Sequence, residues 1–155
     1  MENELKPMVQ SRLKINRKRQ ALFGHSLGGL FALHVLFTKL SSFQTYIAGS
    51  PSIWWKNRYL VKMADEFIRQ KEQIHEENTV CSETSLLIAV GGREKLFMIQ
   101  DALDMYKLLS SNTLPGLRLE YEYYELEGHV TLLPPLISRT LKFVLEHQEV
   151  RNSYI

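Results

Sequence analysis

The feature that most limits what this chain can become is a short apolar run, Ala21-Leu22-Phe23, passing directly into Gly24-His25-Ser26-Leu27-Gly28-Gly29. After the glycines, Leu27, Leu30, Phe31 and Val35 share one face at three- and four-residue spacing, so the order is strand, tight turn, helix. A serine at such a turn is held in strained backbone geometry that exposes its hydroxyl. The positions two before and two after it must be small where neighbouring elements crowd the turn, and Gly24 and Gly28 meet that demand. The helix points its amino end at the serine, where the N–H of Leu27 can stabilise a developing oxyanion. A bare G-x-S-x-G run carries little weight. Its strand-to-helix context is what makes Ser26 the candidate nucleophile.

The rest of the chain alternates apolar runs with amphipathic segments, the pattern of parallel strands joined by helices, and the expected class is α/β in a single domain spanning 1–155. Thr45 to Ala48 forms a strand ending in Gly49-Ser50-Pro51-Ser52. After Ile53-Trp54-Trp55 comes a long helix with Leu60, Met63, Ala64 and Phe67 inward. Leu86 to Val90 is uninterrupted and apolar, as expected of a central strand buried on both faces. A helix with Ile99, Ala102, Leu103 and Tyr106 on one side follows. From Leu117 to Tyr123, apolar and charged residues alternate, which predicts an edge strand with one wet face. A closing helix after Pro134-Pro135 is expected to bury Leu136, Ile137, Thr140, Leu141, Val144 and Leu145.

A serine hydroxyl needs a base, and in this strand order the base is a histidine on the loop after the last strand, preceded by an acid on an earlier loop. Of five histidines, His129 in Glu127-Gly128-His129 stands in that loop. His34 lies on the apolar helix face, and His75 and His147 fall in charged helix ends. His25 sits within the turn, where it packs beside the serine or contacts substrate. Glu94, the first carboxylate after Val90, is the candidate acid that orients the imidazole, pairing with Arg93 or Lys95 being its other role; Glu127 is the reserve acid. Trp54 and Trp55 either line a substrate pocket at the carboxyl end of the sheet or dock the following helix.

A net charge of +2 creates no strong field toward polyanions, and the basic run Arg12, Lys14, Arg17, Lys18, Arg19 lacks interleaved aromatics, so no nucleic-acid partner is expected. The single cysteine, Cys81, excludes an internal disulfide and a multi-cysteine metal site. No secretory signal and no run of the ~20 apolar residues that span a bilayer is present, which leads to the expectation of a cytoplasmic chain without a membrane partner.

Taken together, Gly24-His25-Ser26-Leu27-Gly28-Gly29-Leu30, Ser50-Pro51-Ser52-Ile53-Trp54-Trp55, Val90-Gly91-Gly92-Arg93-Glu94-Lys95 and Glu127-Gly128-His129 resemble the esterase family of α/β-hydrolases that includes the siderophore esterases acting on enterobactin, salmochelin and bacillibactin. The resemblance implies about four mostly parallel strands with flanking helices, the C-terminal half of an α/β-hydrolase fold. It implies that Ser26 attacks an ester carbonyl, His129 shuttles the proton and Glu94 orients His129, or that Ser26 and His129 act as a dyad. It implies a small-molecule ester substrate such as a siderophore trilactone, whose iron would arrive with the substrate, and no cofactor or metal in the chemistry. Family members carry several strands before the turn, whereas about twenty residues precede it here. From this departure we expect a truncated domain with impaired activity, lacking one oxyanion donor. The alternative is a non-catalytic remnant or interaction module that pairs through an open sheet edge as a homo-oligomer.

Overall fold

The computed structural model describes residues 3–75 and 83–152, the side chains of 72–75 and 146–152 excepted. Cys81 and the side chains of His75 and His147 lie outside the described residues. The chain runs α1 (Leu5–Arg12), β1 (Ala21–His25), α2 (Leu27–Thr38), β2 (Thr45–Gly49), α3 (Trp55–His75), β3 (Thr84–Gly91), α4 (Leu96–Ser110), β4 (Leu117–Tyr124) and α5 (Leu133–Asn152). The strands form one parallel sheet in the order β1-β2-β3-β4. Because all four run the same way, the loops that follow them open at one end of the sheet, and the residues after β1, β2, β3 and β4 meet there.

The pleat sends alternate residues to opposite faces. Leu86, Ile88 and Val90 of β3 join Tyr46 and Ala48 of β2 in a core shared with α2, α3 and α4. Leu87 and Ala89, with Ile47, face the other way onto Leu132 and onto Leu136 and Phe143 of α5. Every residue of β3 is buried, which is why its sequence is an unbroken apolar run rather than an alternating one. β4 is an edge strand as its alternation predicts, and among the described strands β1 is the other edge.

Three expectations are corrected. The charged face of β4 is not simply wet: Glu120 and Glu122 both pair with Arg139 of α5, and the Arg118 and Arg139 guanidinium groups lie over the Phe143 ring at 4.5 and 5.5 Å. On α5 the inward face belongs to Leu136 and Phe143, while Ile137, Leu141 and Leu145 are 52, 61 and 55% exposed. Apolar residues surround that helix, so spacing alone does not set its rotation; the Leu136–Phe143 stripe, seven residues apart, fits the core left open by β2 and β3. On α4 the fully buried positions are Asp101, Ala102, Met105 and Leu109; Ile99 and Tyr106 pack half-buried against the same core, and Leu103 lies outside that cluster.

Helix α1 was not anticipated from the sequence pattern. Its Lys6 ammonium donates to the Ser42 carbonyl and sits 4.0 Å from the centre of the Phe43 ring. The basic residues after it are exposed, as expected of a solvated lead into β1. No described helix is long and apolar enough to cross a membrane.

Candidate active site

β1 ends at His25, and Ser26 turns the chain with φ 59° and ψ −118° before α2 begins at Leu27. A non-glycine residue in this left-handed region costs on the order of 1–3 kcal/mol, so its surroundings must impose it. They do so through the backbone: the Ser26 N–H donates to the Gly49 carbonyl at 2.9 Å, and the Ser26 carbonyl accepts from the N–H groups of Leu30 and Ser52 at 3.0 and 3.1 Å. At Gly24 any Cβ would collide with the Gly28 carbonyl, so a side chain is excluded there. Gly28 differs from expectation, because a Cβ on it would meet nothing within 4 Å. The crowding falls one residue later, where a Cβ on Gly29 would lie 2.8 Å from the Gly49 carbonyl and 3.0 Å from Pro51.

Glu94 sits in the loop after β3 with its side chain 0% exposed. A buried carboxylate is tolerable only where donors replace its lost water, and here they do. Oε1 accepts from the Ser50 hydroxyl and from the Gly91 N–H at 3.0 Å; Oε2 lies 2.8 Å from Nδ1 of His129. Glu94 is thus the carboxylate that meets His129. The reserve acid, Glu127, contributes backbone instead: its carbonyl accepts from the Arg93 N–H at 2.9 Å and its N–H donates to Tyr124 at 3.0 Å, tying the His129 loop to the Glu94 loop.

Ser26, Glu94 and His129 line one cavity of about 360 Å³, together with Ser52, Trp54, Arg93, Lys95, Phe97 and Met98. Among the described residues the Ser26 hydroxyl hydrogen-bonds the Ser52 hydroxyl at 3.3 Å and not the His129 ring. Trp54 packs edge-on against Phe97 and borders the cavity; Trp55 packs against Trp54 outside its lining. His25 is also outside the lining and stacks on His129 instead, ring centres 4.6 Å apart. Leu27, the first residue of α2, places its amide next to Ser26 at the helix amino end.

Sequence reasoning gave Ser50 and Ser52 no role, yet both are buried and bond Glu94 and Ser26 respectively. Their signal was present in the Ser50-Pro51-Ser52 run directly after a strand, where polar side chains at the carboxyl end of a parallel sheet are placed to reach a ligand. A local feature of the backbone follows Trp55. Lys56, Asn57 and Arg58 all adopt left-handed backbone angles, with φ 47, 53 and 57°, and Arg58 is anchored by a 2.7 Å ion pair to buried Asp101.

The family model described as "Putative esterase" matches residues 1–131. The chain is 40% identical over 148 residues to the ferri-bacillibactin esterase BesA of Bacillus subtilis (strain 168), covering 94% of this chain and 49% of that protein. It is 32% identical to the siderophore triacetylfusarinine C esterase of Aspergillus fumigatus, covering 94% and 56%. Among solved structures, the BES protein from Bacillus cereus superposes with a TM-score of 0.83 at 35% identity, covering 92% of this chain and 51% of that one. The chain spans about half the length of the curated relatives it matches.

Proposed function

The chain belongs to the esterase family that this model defines, and from that premise we propose that it hydrolyses carboxylic esters of the siderophore class, with Ser26 as nucleophile, His129 as base and Glu94 as the acid that orients His129. The single observation that carries the reading is the 2.8 Å contact between Glu94 Oε2 and His129 Nδ1 at the wall of a cavity that also contains the Ser26 hydroxyl. A carboxylate at Nδ1 fixes the tautomer in which Nε2 carries the lone pair, the form able to take a proton.

In the proposed reaction the Ser26 oxygen forms a bond to the ester carbonyl carbon while its proton passes to Nε2 of His129. The carbonyl oxygen becomes an anion that the Leu27 amide at the start of α2 stabilises. Collapse of the tetrahedral species breaks the carbon–oxygen bond to the alcohol, which leaves with the proton from His129. Water, deprotonated by the same imidazole, then releases the acid and restores Ser26. Glu94, bonded at Nδ1, supports the imidazolium formed twice per cycle.

A fluorophosphonate probe together with an ester substrate tests this. The expected result is covalent labelling of wild-type protein, hydrolysis of ferri-bacillibactin or of a simple aryl ester, and loss of both in Ser26→Ala. Folded wild-type protein that takes no label and turns over no ester would overturn the proposal, and so would a Ser26→Ala variant that still reacts.

A further inference from the structure

His25 is the side chain the proposed reaction does not use, and its surroundings give it a task. Its ring lies 4.6 Å from that of His129, tilted by 47°. The Nε2 atom of His25 is buried without a hydrogen-bond partner, so the contact between the two rings is what places the side chain. His129, by contrast, is poorly held by packing. Its side chain is 39% exposed and its loop neighbours Leu126 and Val130 are 68 and 71% exposed.

One hydrogen bond at Nδ1 fixes one edge of an imidazole but leaves the ring free to tilt about the line to the carboxylate. A second ring packed against it restricts that freedom. We infer that His25 is a positioning residue for His129: its ring packs against the His129 ring from the end of β1 and, together with the Glu94 carboxylate at Nδ1, limits the tilt of the imidazole. This rests on the proposed role of His129, and deepens it. Burial and the neighbouring His129 both hold the His25 pKa below its usual value, so the clamp stays neutral while its partner takes up charge.

Phenylalanine keeps a ring at position 25, whereas asparagine and alanine remove it. The test compares His25→Asn, His25→Phe and His25→Ala with wild type by two readouts. One is the rate of fluorophosphonate labelling of Ser26; the other is the relaxation dispersion of the His129 imidazole signal in histidine-labelled protein, which needs no activity. The expected result is labelling slowed on the order of 10- to 100-fold in His25→Ala and His25→Asn, with a broadened His129 signal, and partial recovery of both in His25→Phe. A His129 signal as sharp in His25→Ala as in wild type overturns the inference. If wild type itself takes no label, the proposed function fails, and the dispersion measurement still decides the role of His25. If His25→Ala does not fold, His25→Asn and His25→Phe carry the comparison, and a signal as sharp in His25→Asn as in wild type refutes the clamp.

Discussion

Ser26, Glu94 and His129 come from three loops far apart in the chain, and each is fixed by a different kind of force: a strained backbone held by amide bonds, a buried carboxylate held by donors, and a half-exposed ring held by its neighbours. Their places on strand-end loops were legible in the sequence because each follows a strand, and chain order is the ground on which a role is proposed for each. The contacts of His25 were not legible, since which ring lies over which depends on how two loops meet. One consequence is measurable through pH. The folded-state pKa of His25 lies below its ordinary 6.5, through burial first and the adjacent His129 second, with Glu94 opposing. Below pH 6.5 the unfolded chain therefore binds a proton that the folded chain resists, so this contribution to stability is complete above 6.5 and declines as pH falls beneath it. Thermal melts at pH 7.5 and 5.5 are expected to show a smaller drop for His25→Asn than for wild type; an equal drop would assign the loss to other groups.

The elements are built with unequal tolerance. In the turn from β1 to α2, Gly24 leaves no room for a methyl group because the Gly28 carbonyl occupies the space, whereas Gly28 has open space where its own side chain would be. Gly24→Ala is expected to destabilise by several kcal/mol, about 3 or more, as overpacking against backbone cannot be relieved by a rotamer change. Gly28→Ala is expected to be neutral or to stabilise by about 0.5–1 kcal/mol, the gain of alanine over glycine in a helix. Chemical denaturation of both variants checks the pair, and equal losses would contradict the geometry. The G-x-S-x-G pattern treats its two glycines alike; the packed turn does not. Near the start of α3, the left-handed run Lys56–Arg58 had little sequence signal, because of the three residues only Asn57 readily adopts such angles, and the Asp101 anchor on α4 is a tertiary contact.

At the scale of the whole molecule, the sheet separates two cores of unequal size, the larger with α2, α3 and α4 and the smaller with α5. Leu136 is fully buried in the smaller one while Leu141, one helical turn or so further, is 61% exposed. Leu136→Ala is expected to cost about 2–5 kcal/mol and Leu141→Ala well under 1 kcal/mol, measured by urea unfolding. Losses of similar size would mean that α5 buries both leucines, as the sequence periodicity suggested. By itself the sequence determined the class, the order of strands and helices from β1 onward, the buried central strand, and the loops that carry Ser26, Glu94 and His129, because those follow from local periodicity and from the fixed relation between a parallel strand and the loop after it. Only the tertiary structure decided the rotation of α5, the pairing of β4's glutamates with Arg139, the serines that bond Glu94 and Ser26, and the stacking of His25 on His129. These are contacts between segments distant in the chain, and their energy depends on separations and angles that no local pattern encodes.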